Sequence, residues 1–252
     1  MFSPLPISAR KLVRALARRK ERQEQRAYLA EGDRLVSELS SGATGGIHFL
    51  FGRREKLDWL ADLFPGQRLY AIDGEGAELF ATENPQGVGA VVSMPDEIDP
   101  ARLLSSGRPV LYLDGISDPG NAGTILRSVE WFGAAGVIFG ESSVDPYNPK
   151  AVRATMGAIF RVPIIAGVPI ENLAATGIPL IALDAAADTF LGETDLPSHA
   201  IYVIGSEAHG VSPGVLALSR PIAIRGSGAG ESLNAAIAAS VLLYEVARGG
   251  EV

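Results

Sequence analysis

The sequence predicts an α/β protein in two parts: a small α/β domain over residues 1–94 and a larger parallel-sheet α/β domain over residues 109–252. Three observations predict this organisation. Segments with strand-like alternation and segments with helical periodicity take turns along the chain. Several strand segments of the second part are unbroken apolar runs, which is typical of strands buried on both faces of a parallel sheet. Residues 95–108, rich in proline and acidic residues, have no strand pattern, and we interpret them as a linker.

The first part opens on a basic helical segment, and its remaining elements alternate. "AYLAEGDRLVSELSSG" predicts a strand, a turn at Gly32 and a helix. The segments that follow are "GIHFLFG" (strand), "KLDWLADLF" (helix), "RLYAID" (strand), "GAELFATE" (short helix) and "GVGAVVSM" (strand).

The second part contains six strand segments with helices between most of them. They are "VLYLDG", "GVIFG", "VPIIA", "PLIALDA", "AIYVIGS" and "PIAIRG". The last helix, "LNAAIAASVLLYEVAR", is rich in small residues and nearly uncharged over its middle. We expect it to be buried against the sheet or against a second subunit.

Composition excludes several classes of function. The 252 residues, 47% of them hydrophobic, suffice for folded cores, but no apolar run approaches the roughly 20 residues that cross a bilayer. The N-terminus lacks the apolar core of a signal peptide, although its Arg-rich start is compatible with an organellar transit peptide. With no cysteine, and with three scattered histidines (His48, His199 and His209), we expect a cytoplasmic protein without disulfides or a metal site.

Charge is distributed unevenly. The chain has a formal charge of −7, yet residues 1–26 carry eight Lys/Arg against two Glu, so this segment is +6 and the remainder −13. Such a segment is either a solvated helix face or an arm that contacts phosphates, and charge alone leaves both open.

Three Gly-rich loops follow strands of the second part. Parallel sheets bind ligands beyond the carboxyl ends of their strands. The first loop, "DPGNAG" at 118–123, precedes a predicted helix, "TILRSVEWF", with Arg127 in its second turn; the second is "GSEAHG" at 205–210 and the third is "RGSGAGESLN" at 225–234. Each alone could be a turn or a helix start, with Asn121 or Ser232 as N-cap. Together they indicate one site, which would contain Asn121, Arg127, Glu207, Ser232 and Asn234.

Two local patterns point elsewhere and are weaker. "GVSPG" at 210–214 fits a hydrolase nucleophile turn, but Ser212 followed by Pro213 suits a helix N-cap, and no histidine follows to complete a triad. "GSGAGE" lacks the spacing of a dinucleotide loop.

The three loops, in this order, resemble the motifs of the SpoU (TrmH-type) RNA ribose 2′-O-methyltransferases of the SPOUT class. N-x-G-x-x-x-R matches Asn121, Gly123 and Arg127, and G-x-E-x-x-G matches Gly205, Glu207 and Gly210. "SLN" before the last helix matches Ser232, Leu233 and Asn234, and "DPYNPKAVRATMGAIFRVP" resembles the connecting segment, with Thr155 where Ser is usual. Arg225 and Gly226 depart from the family's Pro-Met, and Ala235 replaces the usual Val.

The resemblance implies a C-terminal domain with a trefoil knot, S-adenosylmethionine as cofactor and a homodimer, with residues 1–94 as an RNA substrate-binding domain. It assigns cofactor binding to Thr155, Gly205, Gly210, Ile224, Ser232 and Leu233. It assigns catalysis to Arg127, with Asn121, Glu207, Ser232 and Asn234 as orienting groups. It involves no metal and no membrane.

Arg127 is better suited to orient than to act as the base. Deprotonating an ordinary arginine at pH 7 costs on the order of 7 kcal/mol, whereas holding a phosphate and polarising the 2′-hydroxyl costs less. The base is left unassigned. The expected substrate is ribosomal RNA. The alternatives are transfer RNA, or a non-catalytic RNA-binding protein with the same fold.

Overall fold

The computed structural model describes residues 2–42, 45–72, 74–82, 84–227 and 232–249. The chain forms two compact units. The first contains the residues up to Asp96 together with Tyr147–Arg161, and the second contains Glu97–Pro146 and the residues from Val162 onward. Segment 147–161, which the sequence pattern placed in the second domain, therefore packs in the first unit.

The first unit is built on a five-stranded mixed sheet. In chain order its elements before residue 97 are β1 (Ser3–Pro4), α1 (Ile7–Ala15), α2 (Arg19–Gln25), β2 (Ala27–Glu31), α3 (Asp33–Glu38), β3 (Ile47–Arg53), α4 (Leu57–Leu63), β4 (Leu69–Ile72) and β5 (Val88–Ser93). The strand order is β1-β4-β3-β5-β2, with β5 antiparallel to both of its neighbours. The predicted strands are confirmed. The short helix predicted for "GAELFATE" (76–83) is a 3₁₀ helix over Gly74–Leu79, so it starts two residues earlier and includes only the first four residues of that segment.

The second unit is built on a six-stranded, wholly parallel sheet. The elements after residue 97 are α5 (Pro100–Leu104), β6 (Val110–Asp114), α6 (Pro119–Trp131), β7 (Gly136–Phe139), α7 (Pro149–Ala154, in the first unit), β8 (Ile164–Ala166), α8 (Ile170–Ala174), β9 (Leu180–Leu183), β10 (Ile201–Gly205), α9 (Pro213–Leu216), β11 (Arg220–Ile222) and α10 (Ala235–Gly249). The strand order is β11-β9-β10-β6-β7-β8. All six predicted strands are confirmed. Helix α5 lies within the predicted linker.

Burial explains the apolar runs. The four residues Val110–Leu113 of β6 and the four residues Ile201–Ile204 of β10 are all buried, because these neighbouring strands lie inside the sheet and have both faces covered. The ends of the two strands pair in register, Gly205 with Asp114. The loops that follow β6 and β10 therefore leave the sheet side by side.

Helix α10 packs against α6, and its small residues face inward. Ala235, Ala236 and Ala239 are buried, and the Ser240 hydroxyl lies 2.7 Å from that of Ser128 on α6. The small-residue run is therefore buried within the unit. A different face of the helix pair is exposed and apolar. We call it the α6/α10 face, and it contains Trp131, Ile237, Val241 and Tyr244.

Candidate active site

Helix α6 begins earlier than the sequence pattern indicated. Asp118 is its N-cap, with Oδ1 accepting the backbone N–H of Asn121 at 2.9 Å, and Pro119 is the first helical residue. Gly120 and Asn121 thus lie in the first helical turn, and Arg127 lies in the third turn, not in the second. The side chain of Asn121 does not act as the cap, and remains available to bond elsewhere.

The second loop is closed by its own backbone. The N–H of Ser206 donates to the Gly210 carbonyl and the N–H of Gly210 donates back to Ser206, both at 2.9 Å. A Cβ on Gly205 would lie 2.1 Å from the Gly210 carbonyl carbon, and Gly210 has a φ of +68°. Only glycine fits at either position without strain. The closed loop carries Glu207 on its exposed side.

Asn121, Glu207 and Asn234 form one chain of hydrogen bonds. The Asn121 amide nitrogen donates to Glu207 Oε1 at 2.6 Å, and the Asn234 amide nitrogen donates to Asn121 Oδ1 at 3.0 Å. Asn234 Oδ1 accepts the N–H groups of Ala236 and Ile237 at 2.9 and 3.2 Å, which caps α10. Asn234, not Ser232, is therefore the N-cap of this helix.

The orientation of the two amide groups in this series of hydrogen bonds follows from which atoms can donate and which can accept. An ionised carboxylate only accepts, so the amide nitrogen of Asn121 must face Glu207. The amide oxygen of Asn121 then faces the nitrogen of Asn234, whose oxygen faces the helix N–H groups. Asn121 of the first motif is thus bonded to Glu207 of the second and to Asn234 of the third.

A further carboxylate supports the second loop. Asp114, the last residue of β6, accepts the backbone N–H of Ser212 through Oδ2 at 2.6 Å. Ser212 is the residue before α9, which starts with Pro213. The hydrolase interpretation of "GVSPG" is therefore not needed. Sequence reasoning missed Asp114, although its position at the end of a buried strand could have singled it out.

Arg127 is not part of the hydrogen bonds that join Asn121, Glu207 and Asn234. It is exposed on α6, about 9 Å along the helix axis and about 120° around it from Asn121. In the described part of the chain its side chain has no hydrogen-bond or ion-pair partner. Its guanidinium is available to a ligand.

The predicted cofactor residues fall into two groups. Gly205, Gly210, Ile224, Ser232 and Leu233 lie in the second unit, with Ile224 half-buried and Leu233 47% exposed. Thr155 lies in the first unit, 1% exposed, and its hydroxyl donates to the Val152 carbonyl at 2.6 Å. Residues 228–231 of the third loop lie outside the described residues.

The third loop covers residues 225–234. Leu233 is exposed near its end, and the half-buried Ile224 directly precedes the loop. Arg225, one of the departures from the family pattern, is engaged within its own unit. Its guanidinium lies 4.0 Å from the ring centroid of Phe190 and 2.5 Å from Glu193 Oε1.

Two features are absent from the residues that the structure describes. Among them, no group of His, Asp or Glu side chains is arranged to hold a metal ion. In the same part of the chain, no helix has the length and apolar character to span a bilayer.

Comparison with known proteins gives consistent matches. The model of the SpoU rRNA Methylase family matches residues 108–244. An uncharacterised tRNA/rRNA methyltransferase of Synechocystis sp. is 35% identical over 94% of this chain and 90% of its own length. The 23S rRNA (guanosine(2553)-2′-O)-methyltransferase RlmP of Bacillus subtilis is 28% identical, covering 90% of this chain and 91% of its own.

A solved structure matches the whole fold. The SpoU methyltransferase AviRb of Streptomyces viridochromogenes, crystallised in complex with AdoMet, superposes with a TM-score of 0.85 at 29% identity. The match covers 96% of this chain and 98% of that one.

Proposed function

Because the chain belongs to the SpoU rRNA methylase family, we propose that it transfers a methyl group from S-adenosylmethionine to a ribose 2′-hydroxyl of ribosomal RNA. The observation that carries the proposal is the hydrogen-bond chain from Asn121 to Glu207 and Asn234, which joins the three motifs. The similarity to the rRNA 2′-O-methyltransferase of Bacillus subtilis supports the choice of reaction and of RNA.

The cofactor supplies a methyl group activated on a sulfonium. We assign its adenosine to Ile224, Leu233 and the backbone at Gly205 and Gly210, with Ser232 beside them and Thr155 supporting the connecting segment. The AdoMet complex of AviRb supports the choice of cofactor. The trefoil knot remains a prediction from the family resemblance.

The protein's own contribution is mostly alignment. Transfer forms an ether bond at the 2′-oxygen as the sulfur–methyl bond breaks, so the hydroxyl must lie in line with that bond. Asn121, Glu207 and Asn234 hold the loops on which this alignment depends. The guanidinium of Arg127 donates to the hydroxyl oxygen or to a neighbouring phosphate, which favours loss of the hydroxyl proton.

We assign RNA docking to the first unit and chemistry to the second. Not every cation of the basic segment is available for docking. Arg22 is 2% exposed, and its Nη1 donates to the carbonyls of Leu16 and Ala17 at 2.7 and 2.9 Å, so it stabilises the corner between α1 and α2. Arg14 and Arg10 both pair with Glu78, and these bonds, that of Arg14 first, lower the pKa of the Glu78 carboxyl.

The remaining cations are exposed enough to reach phosphates. The side chain of Arg18 is 70% exposed and that of Lys20 is 82% exposed, and their pairs with Glu21 and Glu24 lie within one helix. Such surface pairs are weak, so a phosphate can replace the carboxylate partner at small cost. Lys11 and Arg19 are exposed as well. We also propose a cytoplasmic location, where ribosomal RNA would be the substrate.

The α6/α10 face supports a two-fold homodimer. Four of the seven exposed large apolar side chains among the described residues lie on it, and Trp131 is 84% exposed. A self-complementary apolar face of this kind is what an isologous interface buries. We propose that a second copy of the chain covers it.

The decisive experiment maps 2′-O-methyl groups. RNA from cells with and without the gene is compared at nucleotide resolution, and the purified protein is then tested for transfer of a labelled methyl group onto the RNA that lacks it. We expect one 23S rRNA ribose to lose its methyl group. Loss of a tRNA methyl group would mean that the substrate is transfer RNA. If no RNA changes and no methyl group is transferred in vitro, the proposal that the protein is a methyltransferase is refuted.

A further inference from the structure

Segment 147–161 belongs to the SpoU match by sequence and to the first unit by packing. It lies inside the matched residues 108–244, yet its helix α7 packs on strand β2. The segment contains Lys150, Arg153 and Arg161 and no acidic residue. It therefore adds three positive charges to the unit that carries the basic helices.

Glu31, the last residue of β2, anchors this segment. Its side chain is 3% exposed, and its two oxygens accept one bond each, from Arg153 Nη1 at 2.6 Å and from the backbone N–H of Ala81 at 2.8 Å. A buried carboxylate needs such partners, because an unpaired buried charge is strongly unfavourable. The Glu31 carboxylate is thus fixed in position, and it fixes Nη1 of Arg153.

Arg153 has further N–H donors that are available to a ligand. Its side chain is 41% exposed, and only Nη1 has a partner among the described residues. The guanidinium is planar, so fixing one nitrogen from the buried side also fixes the plane in which the remaining N–H groups lie. A guanidinium held in this way can bind a phosphate with little loss of side-chain entropy.

We propose that Glu31 is a positioning residue for RNA binding, which orients Arg153 toward a phosphate of the RNA backbone. The inference rests on the proposed function, since it requires an RNA substrate. Glu31 is itself acidic and buried, and it acts only through Arg153.

The test asks whether Glu31→Gln strengthens or weakens RNA binding. Glu31→Gln removes a negative charge, so electrostatics alone predicts tighter RNA binding, whereas loss of orientation predicts weaker binding. Glu38→Gln is the matched control. It removes the same charge from the pair with Arg161 in the same segment, at 3.1 Å, but there both side chains are 35% exposed.

Binding of an unmodified 23S rRNA transcript to the full-length protein is measured at several salt concentrations, well below the melting temperature of each variant. We expect Glu31→Gln to weaken binding up to about tenfold, the effect of one charge-assisted hydrogen bond, and Glu38→Gln not to weaken it. Arg153→Ala should weaken binding and lower the slope of log K against log[salt] by about 0.7 to 0.9. Adding Glu31→Gln to Arg153→Ala should cause no further loss of RNA affinity.

Thermal unfolding followed by circular dichroism reports whether the first unit of each variant is folded, and binding of S-adenosylmethionine, measured by calorimetry on the same samples, reports on the second unit. Equal or tighter RNA binding by Glu31→Gln overturns the inference, and so does equal weakening by Glu38→Gln. Failure of the wild-type protein to bind any rRNA, with cofactor binding intact, overturns the proposed substrate and the inference together. Retained methyl transfer with unchanged RNA affinity in Glu31→Gln overturns the inference alone.

Discussion

Replacing Asn121 by Asp tests the hydrogen-bond chain at its centre. The new carboxylate can still accept from Asn234, as Asn121 Oδ1 does at 3.0 Å, but it cannot donate to Glu207, 2.6 Å away. One donor bond is therefore replaced by repulsion between two carboxylates. Glu207 is exposed, so an effective dielectric constant near that of water applies, and the repulsion is on the order of 1–2 kcal/mol.

Together with the lost bond to a charged acceptor, the expected cost is on the order of 2–3 kcal/mol. If this chain of hydrogen bonds aligns the reacting groups, the single-turnover rate of methyl transfer to unmodified rRNA by Asn121→Asp should be roughly 30- to 150-fold below wild type at pH 8. Two carboxylates this close bind a shared proton at a higher pH than a lone carboxyl does. Protonation restores a donor, so activity relative to wild type should recover as the pH is lowered from 8.

Asn121→Ala is the control, because it removes both bonds without adding charge. Its activity relative to wild type should not recover at low pH. If Asn121→Asp has wild-type rates at every pH measured, the hydrogen bonds among Asn121, Glu207 and Asn234 have no functional role. A loss that is the same in both variants at every pH would refute the electrostatic part of the reasoning.

Three further predictions concern catalysis, docking and assembly. Arg127→Ala should lower methyl transfer by roughly 10²–10⁴ with cofactor affinity nearly unchanged, and near wild-type single-turnover rates would contradict its role. Replacing Arg18, Arg19 and Lys20 by Ala should weaken rRNA binding and lower the salt slope by about 2 if all three contact single-stranded phosphates; an unchanged slope would mean that α2 is a solvated face. Light scattering at micromolar concentration should give twice the 26.4 kDa chain mass, and Val241→Glu on the α6/α10 face should give monomer; a wild-type monomer would contradict the dimer.

Sequence patterns predicted the strands well because burial on both faces of a sheet requires continuous apolar residues. The helix starts were less accurate. "DPGN" was interpreted as a turn, although Asp118 followed by Pro119 is also a signal for an N-cap and a first helical residue. Both interpretations fit the same local residues, and the start of α6 depends on which backbone N–H the Asp118 side chain accepts.

Long-range pairing could not be predicted in this way. Arg153 and Glu31 are 122 residues apart, and nothing in the local pattern around either residue identifies the other. The same holds for Asn121 and Asn234, whose contact depends on where α10 packs. The motifs indicated that these loops form one site. They did not indicate that Arg127 lies outside the hydrogen-bond chain, because that depends on Asn121 being helical: six residues along one helix place Arg127 about 120° around the axis from Asn121.

The packing of segment 147–161 in the first unit also affects how the protein is synthesised. Strand β2 lies at the edge of its sheet, yet all five of its residues are buried, and α7 packs on it. A nascent chain that ends near residue 96 has every strand of that sheet but lacks α7. At 5–20 residues per second the ribosome needs roughly 3–13 s more to reach residue 161. During that interval the apolar surface of β2 on which α7 packs is exposed, and a chaperone that binds nascent chains would have its target there.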